Sequence, residues 1–129
     1  MTLRASALLL FAVACSSPRQ ERPPPPGPDT SLVDPGAAAD LLFEQRCTPC
    51  HGPTGAGDGA ASAALNPRPP SFHDPAWQKS VPDEYIEKIV THGGQSVGKS
   101  ASMPPNPDLA GKQAIVAALR NKVRGFGRR

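Results

Sequence analysis

Residues 44–55, EQRCTPCHGPTG, decide how this chain is to be read. Cys47, Cys50 and His51 can form a redox dithiol, part of a metal clamp or an attachment point for a prosthetic group. The surrounding residues have to choose. Upstream, Asp34-Pro35 fits a helix N-cap followed by proline at the first helical position. The next residues, GAAADLLFEQRC, are strong helix formers, and Ala39, Leu42, Phe43 and Arg46 form a stripe at three- and four-residue spacing. A first helix therefore delivers Cys47.

Two further helices are expected. In VPDEYIEKIVTHGG, Pro82 suits the first helical position, and Asp83 and Glu84 favour the positive N-terminal end. Tyr85, Ile86, Ile89 and Val90 give the apolar face, and Gly93-Gly94 end the helix. The third is expected to start at Asp108 as cap, to present Ile115, Val116, Leu119 and Val123, and to stop at Gly125. No stretch alternates as a strand does. The class is all-α, with about three to five helices and long loops over 52–80 and 93–107. Loops of that length in so small a domain imply a task such as wrapping a ligand.

The chain has 129 residues, 17 of them proline, and few aromatics. This bounds it to one modest domain whose small apolar core gains from a disulfide, a metal or a large apolar cofactor. Residues 1–14 have one cation, Arg4, an apolar run and small residues before Cys15, which is the layout of an export signal. That run is shorter than the roughly 20 residues a membrane span needs. Ala12-Val13-Ala14 satisfies ordinary signal cleavage, while AVAC resembles the lipobox of bacterial lipoproteins, in which Cys15 would carry lipid. Residues 15–34 are then a proline-rich tether, and 35–129 are the folded domain with a basic tail. At about 3.1 Å per residue, such a tether reaches up to roughly 60 Å. With Cys15 on lipid, the other two of the three cysteines fall in the central motif.

C-x-x-C alone is weak, and His51 sharpens it. C-x-x-C-H is the attachment signature of a c-type haem, in which both sulfurs bond the ring and the adjacent imidazole is delivered to the iron. A thioredoxin-like dithiol expects a strand before the motif, and here a helix precedes it. Zinc would need two more good ligands, and only His73 and His92 remain. Met103, in GKSASMPPNPD, lies on no apolar helical face, and Pro104 and Pro105 stiffen its loop. It is the candidate sixth ligand.

From Ala37 to about Phe126 the sequence resembles small class I cytochromes c of bacteria. The likeness runs through CTPCH, GPTGAGDGAAS, NPRPPSF, DEYIEKIVTHGG and SASMPP, in the family's order. It implies a cytochrome c fold, in which the N- and C-terminal helices cross and the loops enclose one covalent haem c. Carried over, Cys47 and Cys50 hold the haem, His51 is the proximal ligand and Met103 the distal one. Pro69 stands where a carbonyl accepts the other ring N–H of His51, with Pro67 as a substitute. Phe72 and Trp77 are similar to pocket residues, the Trp77 indole toward a propionate. One departure is that Lys122 holds the place of an aromatic on the C-terminal helix, which Phe126 is expected to supply. His73 and His92 read as a loop residue and a helix-end residue.

The formal charge is +3, with Lys112, Arg120, Lys122, Arg124, Arg128 and Arg129 crowding the C-terminal end. That suggests docking to an acidic redox partner or anionic headgroups, or simply a solvated helix face. No nucleic-acid module accompanies the charge. The expected function is a monomeric, non-enzymatic electron carrier at the periplasmic face of a bacterial membrane, meeting transient redox partners. The alternative is a haem-based sensor with an open or displaceable distal site.

Overall fold

A computed structural model describes residues 34–128. The export segment, Cys15 and the tether up to residue 33 lie outside the described residues, as does Arg129. Among the described residues the regular structure is helical, without strands. The all-α expectation holds.

Helix α1 spans Pro35–Leu42, and the Asp34 carboxylate accepts the Ala37 N–H at 2.8 Å, as the cap signal requires. It continues into a π-helical turn, Phe43–Cys47, and then α2, Thr48–His51. Pro49 explains the widening. Proline has no N–H to donate and its ring clashes with the carbonyl four residues back. The Thr48 N–H reaches back five residues to the Phe43 carbonyl, and Thr48 Oγ1 donates to the same oxygen at 3.2 Å. One extra residue thus enters the helix just ahead of α2.

Helix α3, Pro75–Ser80, falls inside the expected 52–80 loop, where Asp74 caps it by accepting the Ala76 N–H at 2.8 Å. Helix α4 is Asp83–His92, with Pro82 as the cap residue rather than the first helical one. Gly93, at φ 77°, ends it. Helix α5 is Gln113–Phe126, later at both ends than expected. Asp108 does not cap it: that residue lies in a short 3₁₀ turn, Pro107–Leu109, with its carboxylate bound to Arg46. Gly111, at φ 81°, then breaks the backbone before α5 begins. At the far end Gly125 stays helical and Gly127 is the cap.

The core forms where α1 and its π turn meet α5. Ala39 and Phe43 are buried with Ile115, Val116, Leu119, Val123 and Phe126, and Ile86 of α4 and Leu109 join them. Phe126 supplies the aromatic contact, its ring centroid 5.3 Å from that of Phe43. Lys122 complements it: its ammonium lies 5.3 Å from the Phe43 centroid and 5.8 Å from that of Phe126. The same ammonium pairs with Asp40 of α1 at 2.7 Å. A cation therefore seals the crossing where an aromatic was expected.

Beneath α5, Arg124 donates to Asp83 and to the Gln78 carbonyl, while Gln78 donates to the carbonyls of Phe72 and Val123. Arg120 pairs with Asp83 and Glu87. Three of the C-terminal cations are thus neutralised by α1 and α4, which weakens the expected basic docking end. We expect Phe126→Ala to lower the unfolding free energy of the haem-loaded protein by roughly 3–5 kcal/mol, measured by denaturant titration. Lys122→Ala should cost about 1 kcal/mol or less.

Candidate functional site

The helices and the 52–80 and 93–107 segments surround a cavity of about 380 Å³, within the roughly 300–1,000 Å³ of ligand pockets. Phe72, Trp77, Ile86, Ile89 and Val90 give it apolar walls. Cys47, Cys50, His51 and Met103 all line it, as do Pro67 and Pro69. Residues up to 56 positions apart in sequence are thereby brought to one space. His73 and His92 do not line it: His73 meets the edge of Phe126, and His92 is exposed at the end of α4.

The π turn and α2 place Cys47, Cys50 and His51 on one short helical stretch. Both cysteines are free thiols. Burial pushes the Cys47 thiol up to about 11, so it is protonated at neutral pH. A dithiol oxidoreductase needs the opposite, a thiolate stabilised by its surroundings. Zinc fares no better, since no group of three or more His, Cys, Asp or Glu side chains is placed to hold a metal among the described residues.

Burial also lowers His51 to about 4, leaving the imidazole neutral, the form that ligates iron. Its ring stacks on Phe72 with centroids 4.7 Å apart and planes 17° apart. His51 Nδ1 is buried and has no hydrogen-bond partner. The expected bond to the Pro69 carbonyl is therefore not formed, nor one to Pro67. The Pro69 oxygen lies instead against Gly57, where a Cβ would come within 2.5 Å of it. A buried imidazole nitrogen without a partner is costly. The neutral imidazole, the two neighbouring thiols and the apolar cavity nonetheless fit a site built to receive haem.

The far end of α4 positions Met103. The Gly94 N–H donates to the Met103 carbonyl at 2.9 Å, and Asn106 binds α4 twice, its N–H to the Thr91 carbonyl at 2.9 Å and Nδ2 to the Val90 carbonyl at 2.7 Å. A Cβ on Gly93 would lie 2.8 Å from Pro105 N and 2.9 Å from Met103 O. The glycine pair that ends α4 is thus also the seat of the methionine loop. Asn106 carries no sequence signal for this role, since its partners are backbone groups of another element.

A cysteine pair followed by histidine, opening on an apolar cavity in an all-helical domain, defines a c-type haem protein. Residues 34–120 match the family described as cytochrome c oxidase, cbb3-type, subunit III, and the chain belongs to this family of cytochrome c domains. The family implies haem c, Cys47, Cys50 and His51 fit its C-x-x-C-H motif, and such domains serve haem-based electron transfer. No curated protein matches the chain significantly. No helix of the described residues is long and apolar enough to cross a membrane.

Alkylation of the haem-free chain should report the buried turn. The rate at Cys47 should rise with a midpoint at about pH 11, well above the roughly 8.5 of a free cysteine. A midpoint at the free value would mean that the turn is open to solvent.

Proposed function

We propose that this protein is a single-electron carrier with one haem c, held through Cys47 and Cys50 and ligated axially by His51 and Met103. The observation that carries this reading is the convergence of all four side chains on one apolar cavity. When bound, the haem supplies the one-electron chemistry. The chain supplies the rest. A neutral imidazole and a thioether are ligands that need gain or lose no proton as iron changes charge, and methionine as the second ligand raises the potential. Apolar walls keep water from the site. The Trp77 indole, 5.0 Å from the Phe72 ring between centroids, is proposed to reach a propionate.

The protein is further proposed to be exported and held by lipid on Cys15 at the periplasmic face of a membrane, acting as a monomer. Its redox partners dock transiently at the cavity mouth, where the exposed cations Arg68 and Lys99 make no ion pair among the described residues. An acidic partner surface suits them.

Visible spectroscopy of the haem-loaded protein tests the ligation. The ferric form should show the weak far-red band of methionine-ligated haem and the ferrous form should ignore carbon monoxide. Met103→Ala should abolish the band, admit the gas and lower the potential on the order of 100 mV, within the roughly 0.8 V that axial ligands span. A wild-type spectrum that is high-spin and responds to the gas would favour the sensor instead.

Stopped-flow oxidation by ferricyanide, a small trianion, tests the mouth. At low salt, Arg68→Gln with Lys99→Gln should slow it about two- to fivefold, a difference lost at high ionic strength.

A further inference from the structure

Arg46 immediately precedes Cys47, yet its guanidinium reaches across to the segment that follows the methionine. Nη1 and Nη2 bind the two Asp108 oxygens at 2.8 and 3.1 Å, and Nη1 also donates to Asn106 Oδ1 at 3.1 Å. This planar two-point contact is the geometry at which arginine is strongest. Asn106 is held at both ends of its side-chain amide, by Arg46 on one side and by the Val90 carbonyl on the other.

We infer that Arg46, Asp108 and Asn106 form a latch that joins the haem-attachment turn to the methionine loop and sets how readily Met103 leaves the iron. The inference rests on Met103 being the distal ligand. Arg46 lines the cavity whereas Asp108 does not, so an effect shared by variants at both positions marks Arg46 as a positioning residue that acts through the loop.

The physical case turns on where the contact sits. The Arg46 and Asp108 side chains are 41% and 48% exposed, so the pair adds little to global stability. Its leverage is local. For Met103 to swing away, the stretch from Ser100 to Asp108 has to lift off, and its remaining moorings are the Asn106 side-chain bond to Val90 and backbone bonds at the end of α4. Segments of this kind open without global unfolding. Asp108 lies five residues beyond Met103, so releasing it frees the loop at its downstream anchor. The Lys122–Asp40 pair is a fair contrast, because it joins α5 to α1 away from the cavity lining.

Imidazole titration of the ferric, haem-loaded protein, followed at the far-red band, tests the latch. Arg46→Gln and Asp108→Asn should each raise the apparent imidazole affinity about three- to tenfold, by raising the population of the open loop. The double variant should go no further than Arg46→Gln alone, since loss of the guanidinium already breaks its bonds to both Asp108 and Asn106. Hydrogen exchange at the Asn106 amide should accelerate in step, whereas Lys122→Gln should change neither readout. Unchanged affinity in both single variants would overturn the inference, as would additive effects in the double variant or an equal effect of Lys122→Gln. If the wild type lacks the band and matches Met103→Ala, the ligation itself fails and the latch with it, an outcome recognisable before any latch variant is made.

Discussion

The packing of Phe126 on Phe43 is the contact on which the remainder depends. It closes the crossing of α5 over α1, and the residues that follow Phe43 are the π turn and α2 that carry Cys47, Cys50 and His51. Phe126 also reaches Phe72, which stacks on the His51 ring. One aromatic at the last position of α5 therefore links the helix crossing to the orientation of the imidazole. Gly55 makes this possible: a Cβ there would press on both the Phe126 and Phe72 rings, and its carbonyl accepts the Phe72 N–H at 2.7 Å.

The same packing leaves a chain that is helical at its edges and apolar at its centre. Ten buried apolar residues among those described form a layer around the crossing, and the cavity beside them has largely apolar walls into which Cys47, Cys50 and His51 open. Burial against those walls accounts for the shifts at the site. Desolvation, with a smaller contribution from neighbouring Cys50, makes the thiol of Cys47 hard to ionise, and desolvation alone makes the imidazole of His51 hard to protonate. Both groups are held neutral, as suits a site whose charge resides on a bound metal.

The parts of this architecture legible in the sequence were those written in local signals. Asp34-Pro35, the C-x-x-C-H spacing and the apolar face of α4 each state their structure within a few residues. Asp74-Pro75 repeated the first of these signals, and α3 was nonetheless hidden in a proline-rich loop because it is only six residues long. The π turn followed from Pro49, whose effect falls on the carbonyls behind it rather than on its own position. Asp108 misled because the sequence places it well for capping, whereas the fold offers it a guanidinium 62 residues away. Likewise Lys122, Arg120 and Arg124 read as an exposed basic face until α1 and α4 supply their carboxylates. Pairings across such distances have no local period, and only the tertiary fold reveals them.

Because the chain holds two methionines, Met1 and Met103, the ligation can be read with little ambiguity. Methionine labelled with carbon-13 at its methyl group would be incorporated into the haem-loaded, reduced protein and observed by NMR. Ligation predicts that the Met103 methyl resonance is driven far upfield by the ring current of the porphyrin it faces. A Met103 methyl at the position of an ordinary methionine would contradict it, and with it the reading of the cavity as a closed, six-coordinate electron-transfer site.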